Sequence, residues 1–348
     1  MSMRPWLSGA LAAVAMFAGL VGAARAADAP ATPPDALTVT FCGTGGPLPI
    51  RDRAKPCVAI QAGGLLYIVD IGPESNKNLM LWRMPTATIG AVFITHLHSD
   101  HIGDLGEFNL QSWVAGRPAP LIVIGPSGTD QLVAGFNQAY TADHGFRRAH
   151  HEHDGVKLPI DIGLMTAQMV ALPSAPDAEG VIRKVVWEKN GLTVTAISVN
   201  HFPVTPAFGY RFDYKGRSVV VSGDTRKWPP LAIAAKGADV LIHEAQNSDM
   251  NHTLTAFLRG SGQARTASIM NDTLSYHTTP VEAAEIAKAA GVKALVLTHL
   301  TQAGLPFFTP EAFTKGMNET GFTHWRLADD GMTIALPVGS DAITYGQR

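Results

Sequence analysis

The sequence predicts an α/β protein. Short apolar runs of buried-strand length recur along the chain. Helix-length stretches fall between them, and a few segments alternate apolar with polar residues as half-exposed strands do.

Taken in order, Leu37–Cys42 and Cys57–Gln61 read as the first two strands, followed by Leu65–Val69, Ala91–Ile94 and Leu121–Ile124. Thr193–Val199 and Ala207–Asp213 alternate and read as half-exposed strands. Ser218–Val221, Val240–Ile242 and Ala294–Leu297 are apolar throughout and read as buried ones. The clearest helix runs from Pro280 to Ala290. Thr279 suits its cap, Pro280 its first position, Glu282 its first turn and Gly291 its end. One echo is visible: Val92–Leu97 and Leu295–Leu300 are both strands ending in Thr-His-Leu, as expected of two similar halves meeting at one site. Between about 127 and 190 the pattern weakens, and this stretch reads as an insertion over the core that shapes a pocket.

Met1–Pro5 carry one positive charge, Arg4, and an apolar run over Leu7–Ala23 follows. Ala24-Arg25-Ala26 is a small-x-small cleavage pattern. The expectation is a secretory signal peptide over 1–26, a flexible leader over 27–36 and a single domain over 37–348. The run is short for a membrane span, which takes roughly 20 apolar residues. The expected location is therefore periplasmic or secreted, with no membrane attachment after cleavage. Removing 26 of 348 residues leaves 322, and the loss of Arg4 and Arg25 moves the formal charge from −2 to −4. The chain is 46% hydrophobic, and no block of Lys or Arg stands out. A protein that grips long nucleic acid needs such a block, so the expected partner is a small anionic ester and not a long polynucleotide. A homodimer is left open. Neither Cys42 nor Cys57 sits in a CxxC pattern, which disfavours a thiolate metal site. An oxidising compartment would permit a disulfide between them; two buried free thiols are the other reading.

The chemistry lies in Thr95-His96-Leu97-His98-Ser99-Asp100-His101-Ile102-Gly103-Asp104, directly after an apolar strand. Four potential ligands fall within six residues. Neutral imidazoles and a carboxylate suit zinc and similar borderline ions. His96 and His98 can serve one ion while Asp100 and His101 turn to a second.

His-x-His-x-Asp-His after a strand resembles the signature of the metallo-β-lactamase superfamily. The other pieces follow in order: Asn200-His201-Phe202, Val221-Ser222-Gly223-Asp224-Thr225 and Leu297-Thr298-His299-Leu300. The early Gly43-Thr44-Gly45-Gly46 turn and Asp70-Ile71-Gly72 belong to the same resemblance, which runs from about Thr38 to Leu336. It implies an αββα sandwich of two mixed sheets with helices outside. It also implies two metal ions, zinc first and Mn2+ or Fe2+ as substitutes. His96, His98 and His201 would hold one ion, Asp100, His101 and His299 the other, and Asp224 would bridge. Two such ions, about 3.5–4 Å apart, lower the pKa of a shared water and stabilise an anionic transition state.

Asp224 in a Ser-Gly-Asp-Thr turn is similar to the phosphodiesterase, ribonuclease Z and lactonase branches. His243-Glu244-Ala245, His277-Thr278-Thr279-Pro280 and Gly125-Pro126-Ser127-Gly128-Thr129 resemble the ribonuclease Z group and its secreted arylsulfatase-like relatives. In that group the histidine matching His277 faces the substrate, so His277 and Asp100 are the expected catalytic residues. The function this implies is cleavage of phosphodiester or aryl sulfate esters. A lactonase or β-lactamase, or an inactive metal-binding module, are the alternatives. His243 with Glu244 reads as a pair that orients a ligand or as a structural one. His150, His151 and His153 read as anion binders beside Arg147 and Arg148 or as a solvated loop. His252 and His324 have no context, and Trp113, Phe202 and Trp228 read as packing residues.

Overall fold

Alternation inside the apolar runs sets the layers. Within Leu65–Val69, Tyr67 and Val69 turn to one side while Leu66 and Ile68 turn to the other, as the two-residue period of a strand requires. Both sides are buried, so the run stays apolar throughout.

The structure is a computed structural model that describes residues 35–348. The expected signal peptide, 1–26, and all but the last two residues of the expected leader, 27–36, lie outside them. Strands β1 (Ala36–Gly43), β2 (Cys57–Ala62), β3 (Leu65–Val69), β4 (Ile89–Phe93), β5 (Leu121–Gly125) and β6 (Met165–Met169) join one sheet. Strands β7 (Arg183–Lys189), β8 (Leu192–His201), β9 (Val204–Tyr214), β10 (Arg217–Val221), β11 (Val240–Ala245), β12 (Ala294–Leu300) and β13 (Trp325–Leu327) make the other. β14 (Met332–Pro337) and β15 (Thr344–Gln347) return to the first. The first sheet has the order β15-β14-β1-β2-β3-β4-β5-β6, the second β13-β12-β11-β10-β9-β8-β7. Each is mixed: β3 to β6 are parallel, as are β10 to β13, and the remaining pairs are antiparallel.

Three apolar clusters fill the spaces between layers. Between the sheets, Val39, Phe41, Tyr67 and Phe93 meet Tyr210, Phe212, Val219 and Ile242. Phe93 lies 5.3 Å from Tyr210 and 5.5 Å from Phe212, ring to ring. Outside the first sheet, Leu66, Ile68, Val92 and Ile94 pack against Leu79, Leu105, Phe108 and Val133 from helices Ser75–Leu81, Leu105–Val114 and Thr129–Ala139. Outside the second, Leu241, Leu295 and Leu297 pack against Leu231, Ala283, Ile286 and Ala287 from helices Pro229–Ala234 and Pro280–Ala290. This is the αββα sandwich. The Pro280 helix has the expected ends: Thr279 and Glu282 form a reciprocal capping box, and Gly291 closes it at φ 64°.

The segment 127–190 is not wholly an insertion. Its β6 pairs with β5, and its β7 pairs with β8, so each sheet draws one edge strand from it. Both strands lie largely open to solvent on edges and carry Gln, Arg, Lys and Glu, so no apolar period marks them. Thr129–Ala139 and Thr141–His151 are the segment's two longest helices. Cys42 and Cys57 form a disulfide that ties β1 to β2 across 15 residues of sequence. Trp113 is buried, and Trp228 is half-buried and donates its ring N–H to the Ser198 carbonyl. Phe202 departs from its expected packing role: it sits in the turn between β8 and β9 and is 70% exposed.

Candidate metal centre

Strands from both sheets end at one edge of the sandwich, and the loops after them converge there. β4 runs into Thr95-His96 and a short helix, Ser99–Ile102, which carries Asp100 and His101. β8 ends at His201. β10 is followed by Ser222-Gly223-Asp224, where Gly223 has φ 61°, and a Cβ there would lie 2.4 Å from the Phe208 carbonyl oxygen. Only glycine lets the chain turn so close to β9 and aim Asp224 inward. β12 carries His299 with φ 52°, an uncommon conformation for a residue with a Cβ.

The seven expected ligands come together. His96, His98 and His201 form one group, and Asp100, His101 and His299 a second; within each group the ligand atoms lie within 4.8 Å of one another. His96 Nε2 and His98 Nδ1 approach to 2.9 Å. Asp100 Oδ2 lies 3.6 Å from His101 Nε2 and 3.5 Å from His299 Nε2. Asp224 Oδ2 reaches both groups, at 3.2 Å from His299, 3.4 Å from His101, 3.9 Å from His201 and 4.0 Å from His96.

The environment fits divalent cations. Nε2 of His101, His201 and His299 is buried without a hydrogen-bond partner among the described residues. Burying polar atoms unpaired costs free energy, and a cation among them satisfies several at once. Burial pushes the imidazoles of His96, His98 and His201 toward their neutral, metal-binding form, His201 to about 4. Burial opposes the charge on Asp100, but His101 and His299 outweigh it and lower its carboxyl to about 2. The same contest at Asp224 is won by His299 and His101, which hold it well below the ordinary carboxylate value. At His101, burial is outweighed by Asp224, Asp70 and Asp100, and its pKa rises.

Behind the ligands stand residues that fix them. Asp70 accepts hydrogen bonds from the Thr95 N–H and hydroxyl, each at 2.8 Å, and from His101 Nδ1 at 2.7 Å. That bond turns His101 Nε2 toward the centre. The sequence offered one signal for this role, a carboxylate directly after the apolar run of β3. The Tyr276 carbonyl accepts from His201 Nδ1 at 3.1 Å. Glu244 Oε1 accepts from the Thr225 N–H and pairs with His277 Nδ1, both at 2.9 Å. Glu244 thus orients His277, while the His243 ring donates to the Glu244 carbonyl.

His277 does not cap the following helix, because Thr279 does. Its ring lies 5.3 Å from His201 and stacks at 5.5 Å on His299, between the two groups. The expected anion binders His150, His151 and His153 lie exposed at the end of helix Thr141–His151 and the turn after it, and none joins a candidate metal group among the described residues. His252 and His324 are exposed.

Residues 68–300 match the family described as the beta-lactamase superfamily domain. Ribonuclease Z of Mycobacterium marinum is 36% identical over 270 residues, 77% of this chain and 87% of that protein. Among solved structures, the metallo-beta-lactamase fold protein YhfI from Bacillus subtilis superposes with a TM-score of 0.60 at 20% identity, over 85% of this chain and 98% of that one. The short form of human tRNase Z superposes with a TM-score of 0.59 at 23% identity, over 86% and 99%.

Proposed function

The chain belongs to the beta-lactamase superfamily and is a metal-dependent hydrolase, and from that premise we propose that it is an exported dinuclear zinc enzyme that cleaves phosphodiester or aryl sulfate esters of small molecules. The observation that carries the reading is His277, held by Glu244 between two groups of candidate ligands. Divalent ions at those groups would supply an activated water and neutralise charge on the ester oxygens. His96, His98 and His201 would hold one ion, Asp100, His101 and His299 the other, with Asp224 shared.

The protein's own residues account for what remains. An ester with a poor leaving group needs a proton delivered to the departing oxygen. Burial lowers the His277 imidazole, while burial and Asp224 raise the Glu244 carboxyl, and the two meet at 2.9 Å. With Nδ1 anchored on Glu244, His277 can give the proton on Nε2 to the departing oxygen while Nδ1 takes up the proton of the Glu244 carboxyl. Asp100, ionised at any neutral pH, offers an acceptor oxygen to the attacking water.

Two features support export: the apolar run over Leu7–Ala23 before Ala24-Arg25-Ala26, and the Cys42–Cys57 disulfide, which persists in oxidising compartments. Terminal sequencing of periplasmic protein should begin at or near Ala27; retention of Met1 would remove this part of the proposal. For a small substrate speak the absence of a basic block in the sequence and the tight turn that joins β9 directly to β10 between His201 and Asp224.

The decisive experiment is a panel on zinc-loaded protein: bis(p-nitrophenyl) phosphate, p-nitrophenyl sulfate, a lactone and nitrocefin. The phosphodiester or the sulfate should show the highest kcat/KM, and a higher value for nitrocefin or the lactone would move the protein to the lactonase and β-lactamase reading. A second reading, cleavage of RNA, is favoured by the identity to proteins named Ribonuclease Z. A precursor tRNA cut faster than the chromogenic diester would establish it.

A further inference from the structure

We propose that Tyr276 determines specificity, its ring forming the wall against which a flat aromatic leaving group lies as it departs toward His277. The inference rests on the ester-hydrolase reading and deepens it, from esters in general to esters of phenols and similar planar groups.

The Tyr276 ring lies beside both His201 and His277. Its ring centroid is 5.2 Å from that of His201, edge-on at 85°, and 5.0 Å from that of His277, tilted at 50°. Its backbone is fixed from both sides. The carbonyl accepts from His201 Nδ1, and the next residue is anchored on Glu244. Thr278 is pinned as well, donating its hydroxyl to the Thr225 carbonyl and accepting the Gln246 N–H. Tyr276 is half-buried, so part of the residue stays open to solvent. Burial, Asp272 and Asp224 raise the phenol above its ordinary value, and it stays neutral at physiological pH.

The leaving oxygen must come within hydrogen-bond reach of His277 Nε2, about 3 Å, to take its proton. Whatever is attached to that oxygen then lies beside a ring already next to His277. Aromatic pairs gain from edge or offset contact at centroid separations of about 4.5–7 Å. An aliphatic alkoxide lacks the flat face that makes this gain.

The test uses zinc-loaded protein and two methyl phosphate diesters whose leaving alcohols are of similar acidity, the phenyl and the hexafluoroisopropyl. Wild type should prefer the phenyl ester. Tyr276→Ala should lower kcat/KM for it by about three- to tenfold and leave the fluoroalkyl ester nearly unchanged. Tyr276→Phe should keep the preference. Equal losses on both esters with full zinc content, or a Phe variant as impaired as the Ala variant, would overturn the proposal. Calorimetric binding of phenyl phosphate and methyl phosphate reads the same wall without turnover. Tyr276→Ala should weaken the phenyl compound alone, and unchanged binding of both would count against the proposal. Failure of wild type to cleave either diester would instead strike the ester-hydrolase reading.

Discussion

His96, His98, Asp100 and His101 reach the centre from one loop of six residues, whereas His201, Asp224 and His299 arrive from separate strand ends, 23 and then 75 residues apart. The first group needs only the end of β4 and the support of Asp70. The second exists only when β8, β10 and β12 lie in register in the second sheet. The supports differ in the same way. Asp70 turns a ligand, His101, through a bond made within the first sheet's own loops. Glu244 makes no hydrogen bond to any of the seven expected ligands among the described residues and instead meets His277, across 33 residues of sequence.

Asp224 should give the largest effect, since its one oxygen reaches four imidazoles, two in each candidate metal group. Asp224→Ala is expected to lose more zinc than a variant of any other ligand. Its activity should fall further than the roughly 10–100-fold typical of a supporting residue. Elemental analysis finding two full equivalents would break the distinction between shared and single ligands. Next comes His277→Ala, with full metal content and a kcat lower by about 10²–10⁴-fold on an ester with a poor leaving group. The loss should shrink for p-nitrophenyl esters, whose oxygen needs little protonation; wild-type rates on the poor ester would remove His277 from catalysis. The supports give a smaller and more diagnostic contrast. Asp70→Ala should weaken zinc binding by about 10–100-fold in competition with a chelator. Glu244→Ala should leave zinc binding near wild type and reduce kcat. The reverse pattern would mean that the two halves are supported alike. Smallest is Thr279→Ala, which removes the cap of the helix after His277 and should cost about 1 kcal/mol in denaturant unfolding, with kcat unchanged in the folded protein.

The same contrast explains what could be read from the chain. The local loop is legible because its ligands are spaced within one motif. The single ligands His201, Asp224 and His299 were legible only through resemblance, since one histidine after a strand carries no signal by itself. Buried strands such as β3 and β12 show in the sequence because both faces are covered. Edge strands β6 and β7 are half-solvated and polar, and β13 is three residues long, so no apolar period marks them. Tyr276 was hidden for another reason: it acts through a bond to a residue 75 positions away.

Asp224 offers one oxygen to four imidazoles drawn from both halves, and this ties together the thermodynamics of filling them. A cation entering beside that oxygen takes up charge that the second cation would also use, and it orders side chains that the second would also need. The two affinities are therefore linked, and by reciprocity each ion alters the other's affinity by the same factor. Zinc titrations should accordingly yield two stepwise constants that belong to the pair and not to either half. Each ion would draw ligands from the local loop and from the strand ends assembled by the fold, so the two regions fill as one unit.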